Sequence, residues 1–227
     1  MAFNLQTFKT RALTAIVFAI VMLVGLLWNQ WSFIILFTII HFGCWLEFIK
    51  LLKKINPKRF MYYLPLGLLY ITIPSLVMMY LFYENVDYHI LTYKYSPIIP
   101  CGIIFSIWIN DTMAYIVGSF IGKTPFSKIS PKKTWEGTAG GALLCVAVIA
   151  LLGWWTKFYT IKDWICIAAI CAVFGTLGDL LESKLKRMAQ VKDSGSLMPG
   201  HGGFLDRFDS LLIATPFVWV YVYFFIR

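Results

Sequence analysis

Carboxylates are rare in this chain, and they crowd into one region. Only eleven of its 227 residues are Asp or Glu, and five of these, Asp179, Glu182, Asp193, Asp206 and Asp209, lie between residues 179 and 209. The segment reads Gly175-Thr-Leu-Gly-Asp-Leu-Leu-Glu-Ser-Lys-Leu-Lys-Arg187, then Lys192-Asp193, a Ser/Gly/Pro-rich bend, and His201-Gly-Gly-Phe-Leu-Asp-Arg-Phe-Asp209. On a helix, Asp179, Glu182, Ser183, Lys186 and Arg187 stand at i, i+3, i+4, i+7 and i+8 and share one face. Acid comes first and base follows, an order that suits a metal at one level and phosphates at the next. Asp206 and Asp209 stand one turn apart at the start of another apolar helix. Two carboxylates so placed repel unless a cation lies between them. Oxygen ligands with no cysteine and a lone histidine, His201, favour Mg²⁺ over zinc. The plainer account makes Asp206 and Asp209 helix-start acids favoured by the dipole, with Arg207 as partner. It explains one of them and leaves the constellation unexplained.

Two further polar groups accompany this segment. Asn110 and Asp111 lie midway along an apolar run, where a charge costs about 3 kcal/mol on insertion scales and is rarely accidental. Asp111, Tyr115, Gly118 and Gly122 follow at helical steps on one face. Ala114, Gly118 and Gly122 make a small-residue strip that lets another helix approach closely. A bundle-holding pair between Asp111 and a lysine is the competing account. The stretch from Gly122 to Gly137 carries Lys123, Lys128, Lys132 and Lys133 among hydroxyls and glycines, the materials with which a loop accommodates phosphate oxygens. Gly118-Ser-Phe-Ile-Gly-Lys-Thr124 imitates a P-loop but has too few residues between its glycines and follows a membrane helix, so it is rejected as one. A loop that binds only lipid headgroups is the alternative.

These residues must be positioned by membrane helices. The chain is 59% hydrophobic and 14% charged, against about a quarter charged for a soluble domain, with a mean hydropathy of +0.74. Stretches at 12–28, 31–49, 62–83, 97–121, 138–155, 163–181 and 208–226 approach the roughly 20 apolar residues that a span needs. The expectation is an all-α polytopic bundle of seven spans, with a kink in the third from Pro65 and Pro74. Lys9 and Arg11 before an apolar run also fit a signal peptide, but no small-residue cleavage site follows, and a retained first helix is expected.

The charges set the orientation. The tail (Lys9, Arg11), the loop after span two (Lys50, Lys53, Lys54, Lys58, Arg59), the loop after span four (Lys123, Lys128, Lys132, Lys133) and the loop after span six (Lys184, Lys186, Arg187, Lys192, Arg207) hold sixteen of the twenty Lys and Arg residues. That asymmetry predicts a cytoplasmic N-terminus and cytoplasmic polar clusters. The net charge of +9 is therefore a topology signal, and no nucleic-acid partner is expected. Trp28, Trp31, Trp154, Trp155 and Trp164 fall at outer span ends, as interfacial tryptophans do. Cys44, Cys101, Cys145, Cys166 and Cys171 lie in apolar stretches and read as small hydrophobic fillers. Glu84, Asp87 and Asp163 are expected to be solvated, while Glu47 is expected to pair with Lys50 or snorkel. No repeat is visible. Residues 1–227 read as a single membrane domain, with N-terminal helices to residue 100 and a catalytic half from 101.

The pattern Ser183-x-Leu-Lys186-Arg187, Lys192-Asp193, His201-Gly202-Gly203-x-x-Asp206-Arg207-x-Asp209 resembles the signature of the phosphatidate cytidylyltransferase (CDP-diacylglycerol synthase) family. Asn110-Asp111-Thr112, Gly118, Gly122-Lys123 and Ser130-Pro-Lys-Lys-Thr-x-Glu-Gly137 resemble it too, so the likeness spans roughly residues 105–210. The resemblance implies a Mg²⁺-dependent transfer from CTP to phosphatidic acid, giving CDP-diacylglycerol and pyrophosphate. It also implies a homodimer in the bilayer and a polar cavity open to cytoplasm and lipid.

On this reading Asp179, Asp206 and Asp209 are the expected metal ligands, with Asp111 and Glu182 as weaker candidates and a second cation left open. Lys186, Arg187, Lys192, Arg207, Lys132 and Lys133 are expected to hold phosphates. Asn110, Ser183, Asp193, His201, Gly202 and Gly203 are expected to line the substrate site. A CTP-dependent polyprenol kinase and an ion-coupled transporter are the rivals. The full signature speaks against the first, and the gathering of polar residues at one membrane face speaks against the second.

Overall fold

The computed structural model describes residues 5–87, 92–196 and 202–226, with side chains described outside 5–11, 84–87 and 92–93. The architecture is helical: α1 Leu5–Leu27, α2 Gln30–Ile55, α3 Phe60–Gly67, a π-helical turn Leu68–Thr72, α4 Ile73–Leu81, α5 Ile98–Ile121, α6 Trp135–Thr156, α7 Ile161–Met188 and α8 Leu205–Phe225. Six helical stretches among the described residues are long and apolar enough to cross a membrane, and Ala12–Leu27 adds a shorter apolar helix. This is the all-α membrane architecture expected. The third span is one stretch from Phe60 to Leu81, and its irregularity is the π turn between Pro65 and Pro74. Unforeseen was a short antiparallel hairpin, β1 Tyr83–Asp87 with β2 Thr92–Tyr95.

The chain forms two compact units. The first comprises residues 1–75 and 185–208. Here α2 starts with a capping box in which the Asn29 side chain accepts from the Trp31 and Ser32 amides at 2.8 and 2.9 Å, satisfying donors that a helix start leaves orphaned. Phe33, Phe37, Ile40, Cys44, Phe48 and Leu51 recur at helical spacing and are buried, whereas Ile35, Ile39, Phe42 and Leu46 on the other side are exposed. In a chain of this hydropathy that exposed face is the lipid face. Trp45 donates its indole N–H to Thr72 Oγ1 at 3.0 Å, tying α2 to the π turn.

The second unit comprises residues 76–184 and 209–227. Its backbone is the close pairing of α5 with α6. A Cβ on Gly137 would meet the Ala114 carbonyl and Gly118 Cα, and one on Gly141 would meet Ala114 itself. The small-residue strip therefore serves the close approach read from the sequence. Trp164 departs from expectation. It is buried, its indole N–H donates to the Phe158 carbonyl at 2.5 Å, and Gly102 and Gly153 make room for its ring. It is a packing residue, while Trp28, Trp31, Trp154 and Trp155 remain exposed.

Candidate active site

Within the second unit, α7 turns Asp179, Glu182 and Ser183 to one side, as their helical spacing requires. Gly178 permits the next step. A side chain there would overlap the backbone of Asp209, so its absence lets the Asp209–Ser210 stretch of α8 press against α7. Carboxylate oxygens of Asp179, Glu182 and Asp209 thereby come within 4.8 Å of one another. Glu182 is fully buried and Asp209 is 7% exposed. Asp209 accepts the Ser210 amide at 2.6 Å, and Ser183 donates to Asp179 at 3.3 Å. Three carboxylates gathered this closely, two of them buried, repel strongly unless a cation balances them. The donor set is all oxygen, which fits a hard divalent ion.

Asp179 is also one wall of a cavity of about 600 Å³. Asn110, Asp111, Ser119, Ser130, Lys132, Lys133, Thr134, Thr138 and Thr176 contribute its polar lining. Lys133, another lining residue, forms an ion pair with Asp179. Asn110 is buried, and its amide oxygen has no hydrogen-bond partner among the described residues. Asp111 and Lys132 line the same cavity and are exposed. Asp111 is not one of the three gathered carboxylates.

The loop that carries the lysines is pinned at both ends. Thr134 caps α6 by accepting from the Gly137 amide at 3.1 Å. The Glu136 carboxylate accepts from the Lys123 and Thr124 amides at 3.1 Å each. Phe126 N–H donates to the Lys133 carbonyl at 2.7 Å, and Trp135 N–H to the Thr124 carbonyl at 2.9 Å. Residues 122–135 are therefore a closed loop whose lysines are delivered from a fixed base.

The signature residues of the first unit form a second cluster. After α7 ends, Gln190 adopts a left-handed conformation and Val191 N–H bonds back to the Lys186 carbonyl at 2.9 Å. Lys186 then pairs with Asp206 Oδ1 at 2.6 Å, the two side chains 12% and 6% exposed. Asp206 Oδ2 receives the Ser194 amide, the Ser194 hydroxyl and the Gly203 amide, each at 2.8 Å. Gly202 takes φ +83°, and a Cβ there would strike Asp206, so glycine is required. Arg187, Lys192, Asp193 and Arg207 are exposed, and Arg187 donates to the Val191 carbonyl at 3.4 Å. His201 lies outside the described residues.

Glu47 corrects the sequence reading. It neither pairs with Lys50 nor snorkels. It is buried at 5% exposure and accepts from Ser194 Oγ at 2.7 Å and from the Phe204 and Leu205 amides at 2.9 Å. A lone acid inside a span was the available signal. Ser194, Gly178 and Thr176 also escaped the reading, because small residues announce a role only once their neighbours are known.

Comparison with known proteins bears on the same stretch. The sequence model described as "Cytidylyltransferase family" matches residues 98–225. The chain is 43% identical to the phosphatidate cytidylyltransferase of Bacillus subtilis (strain 168) over 140 residues, which are 60% of this chain and 49% of that protein. It is 46% identical to the protein of that name in Staphylococcus saprophyticus over 113 residues, 48% of this chain and 43% of the relative. The chain spans about half the length of the curated relatives it matches.

Proposed function

This chain belongs to the cytidylyltransferase family, and on that premise we propose that it transfers the cytidylyl group of CTP to phosphatidic acid. The products are CDP-diacylglycerol and pyrophosphate, and the reaction is a step of phospholipid biosynthesis. The observation that carries the proposal is the gathering of Asp179, Glu182 and Asp209 beside a cavity lined by Lys132 and Lys133. The name borne by the relatives supplies the substrates.

A phosphate monoester is mostly ionised near neutral pH, so the attacking phosphatidate oxygen needs little help from a base. The difficulty is bringing two anions together and aligning an in-line attack on the α-phosphorus. Asp179, Glu182 and Asp209 would hold Mg²⁺, which supplies charge neutralisation at phosphoryl oxygens when bound. Lys133, paired with Asp179, and Lys132 offer ammonium groups to CTP phosphates. Asn110 and Asp111 line the substrate cavity. Lys186, Arg187, Lys192 and Arg207 are assigned to substrate phosphates through the signature, with Asp206 turning Lys186 and Ser183 steadying Asp179. The protein works in the cell membrane with this chemistry on the cytoplasmic side, as the lysine distribution supports. The resemblance carries the homodimer.

Incubating the protein with CTP and either phosphatidic acid or a polyprenol, and identifying what leaves the nucleotide, tests this. Pyrophosphate released only with phosphatidic acid is expected. CDP released with polyprenol would make the protein a lipid kinase, and no turnover with either would favour a transporter.

A further inference from the structure

Glu47 stands on α2, outside residues 98–225 that the family model matches, yet its carboxylate is wired into the signature. A buried carboxylate is costly unless it is fully hydrogen-bonded. Oε1 accepts from the Phe204 amide and Oε2 from the Leu205 amide, both at 2.9 Å. These are the amide just before α8 and the first amide within it, which a helix start leaves without partners and which the Phe204 side chain cannot cap. Their positive end of the helix dipole favours an anion. Oε2 also lies 2.7 Å from Ser194 Oγ, which is 2.8 Å from Asp206 Oδ2. A hydroxyl has one hydrogen, so Ser194 shares it between the two carboxylates. A Cβ on Gly195 or Gly203 would overlap the Glu47 carboxylate, which accounts for Gly203 of the signature and for Gly195 in the bend before it. Glu47 thus holds the bend residues 194–195 and the signature stretch 203–205 against α2.

We infer that Glu47 is a positioning residue for the transfer, acting through Ser194 and the amides at the start of α8 on the Asp206–Lys186 pair. Its effect on turnover rests on the function proposed above. Its effect on residues 203–206 does not.

Glu47→Gln keeps the shape but turns an amide NH₂ toward groups that are themselves donors. The KM for CTP or for phosphatidic acid rises roughly tenfold, as for loss of one charge-assisted hydrogen bond. KM does not depend on how much of the protein is folded, so a merely structural role would leave it unmoved. Ser194→Ala raises the same KM, and the double variant is no worse than the worse single one. Hydrogen exchange at residues 203–206, measured in detergent without substrate, quickens in Glu47→Gln. Unchanged exchange overturns the inference, as do unchanged KM values with Vmax falling in step with folded protein, or additive effects of the two substitutions. If the wild-type protein transfers no cytidylyl group, the function proposed above fails, and the exchange measurement alone decides this inference. If Glu47→Gln does not fold, Glu47→Asp and Ser194→Ala replace it, and unchanged exchange and KM in both overturn it.

Discussion

The backbone of Asp209 rests against Gly178 so closely that any side chain on the glycine would overlap it. That approach brings the α8 carboxylate to those of Asp179 and Glu182 on α7. Gly178→Ala forces the two segments apart. Overpacking of this kind costs about 1–3 kcal/mol, which a thermal melt of the solubilised protein would register. Turnover falls further than stability does, and the Mg²⁺ concentration for half-maximal rate rises. An unchanged metal requirement would separate the glycine from the carboxylate group.

Asp209→Asn removes one of the three gathered charges while keeping the volume. Turnover drops about a hundredfold or more, since metal-centred charge stabilisation is worth several kcal/mol and about 1.4 kcal/mol is a factor of ten. The protein still inserts and folds. Full turnover at saturating Mg²⁺ would remove Asp209 from the metal assignment.

Lys186 and Asp206 form an ion pair in which both side chains are nearly buried. Lys186→Met leaves the carboxylate without its cation and destabilises by up to about 3 kcal/mol. Adding Asp206→Asn recovers much of that stability, because the uncompensated charge is gone. Activity stays lost in the double variant. Melting curves and rates on the same preparations check both halves, and recovered activity would make the pair a structural device only.

Glu136 holds the Lys123 and Thr124 amides, fixing the loop that ends in Lys132 and Lys133. Glu136→Ala loosens that base, and the KM for CTP rises several-fold with a smaller change in kcat. Lys133→Met, which removes the partner of Asp179, raises the same KM. A change in the KM for phosphatidic acid alone would move the loop to the lipid side of the reaction.

Much of this arrangement was legible in the residues. The apolar stretches gave the helices because backbone groups in lipid must pair internally. The Asp179–Glu182–Ser183 face followed from helical spacing, and the Ala114–Gly118 strip from residue size. Other features were not legible, since they depend on contacts between distant parts of the chain. Asp206 and Asp209 stand one turn apart, but Asp206 turns to Lys186 and Ser194 while Asp209 faces α7. Glu182 is the third member of the carboxylate group, which spacing alone did not single out. Glu47 looked like a snorkelling acid because its partners lie some 150 residues later. Trp164 looked interfacial until Gly102 and Gly153 were seen to enclose it.

The most direct measurement follows the cytidine itself. Purified protein in phosphatidic acid vesicles is given CTP labelled in the base and, separately, in the γ-phosphate. Base label is expected in the lipid fraction as CDP-diacylglycerol, with γ label in free pyrophosphate and one pyrophosphate per lipid formed. Gamma label in the lipid, or base label remaining wholly in water-soluble nucleotide, would rule out cytidylyl transfer to phosphatidic acid.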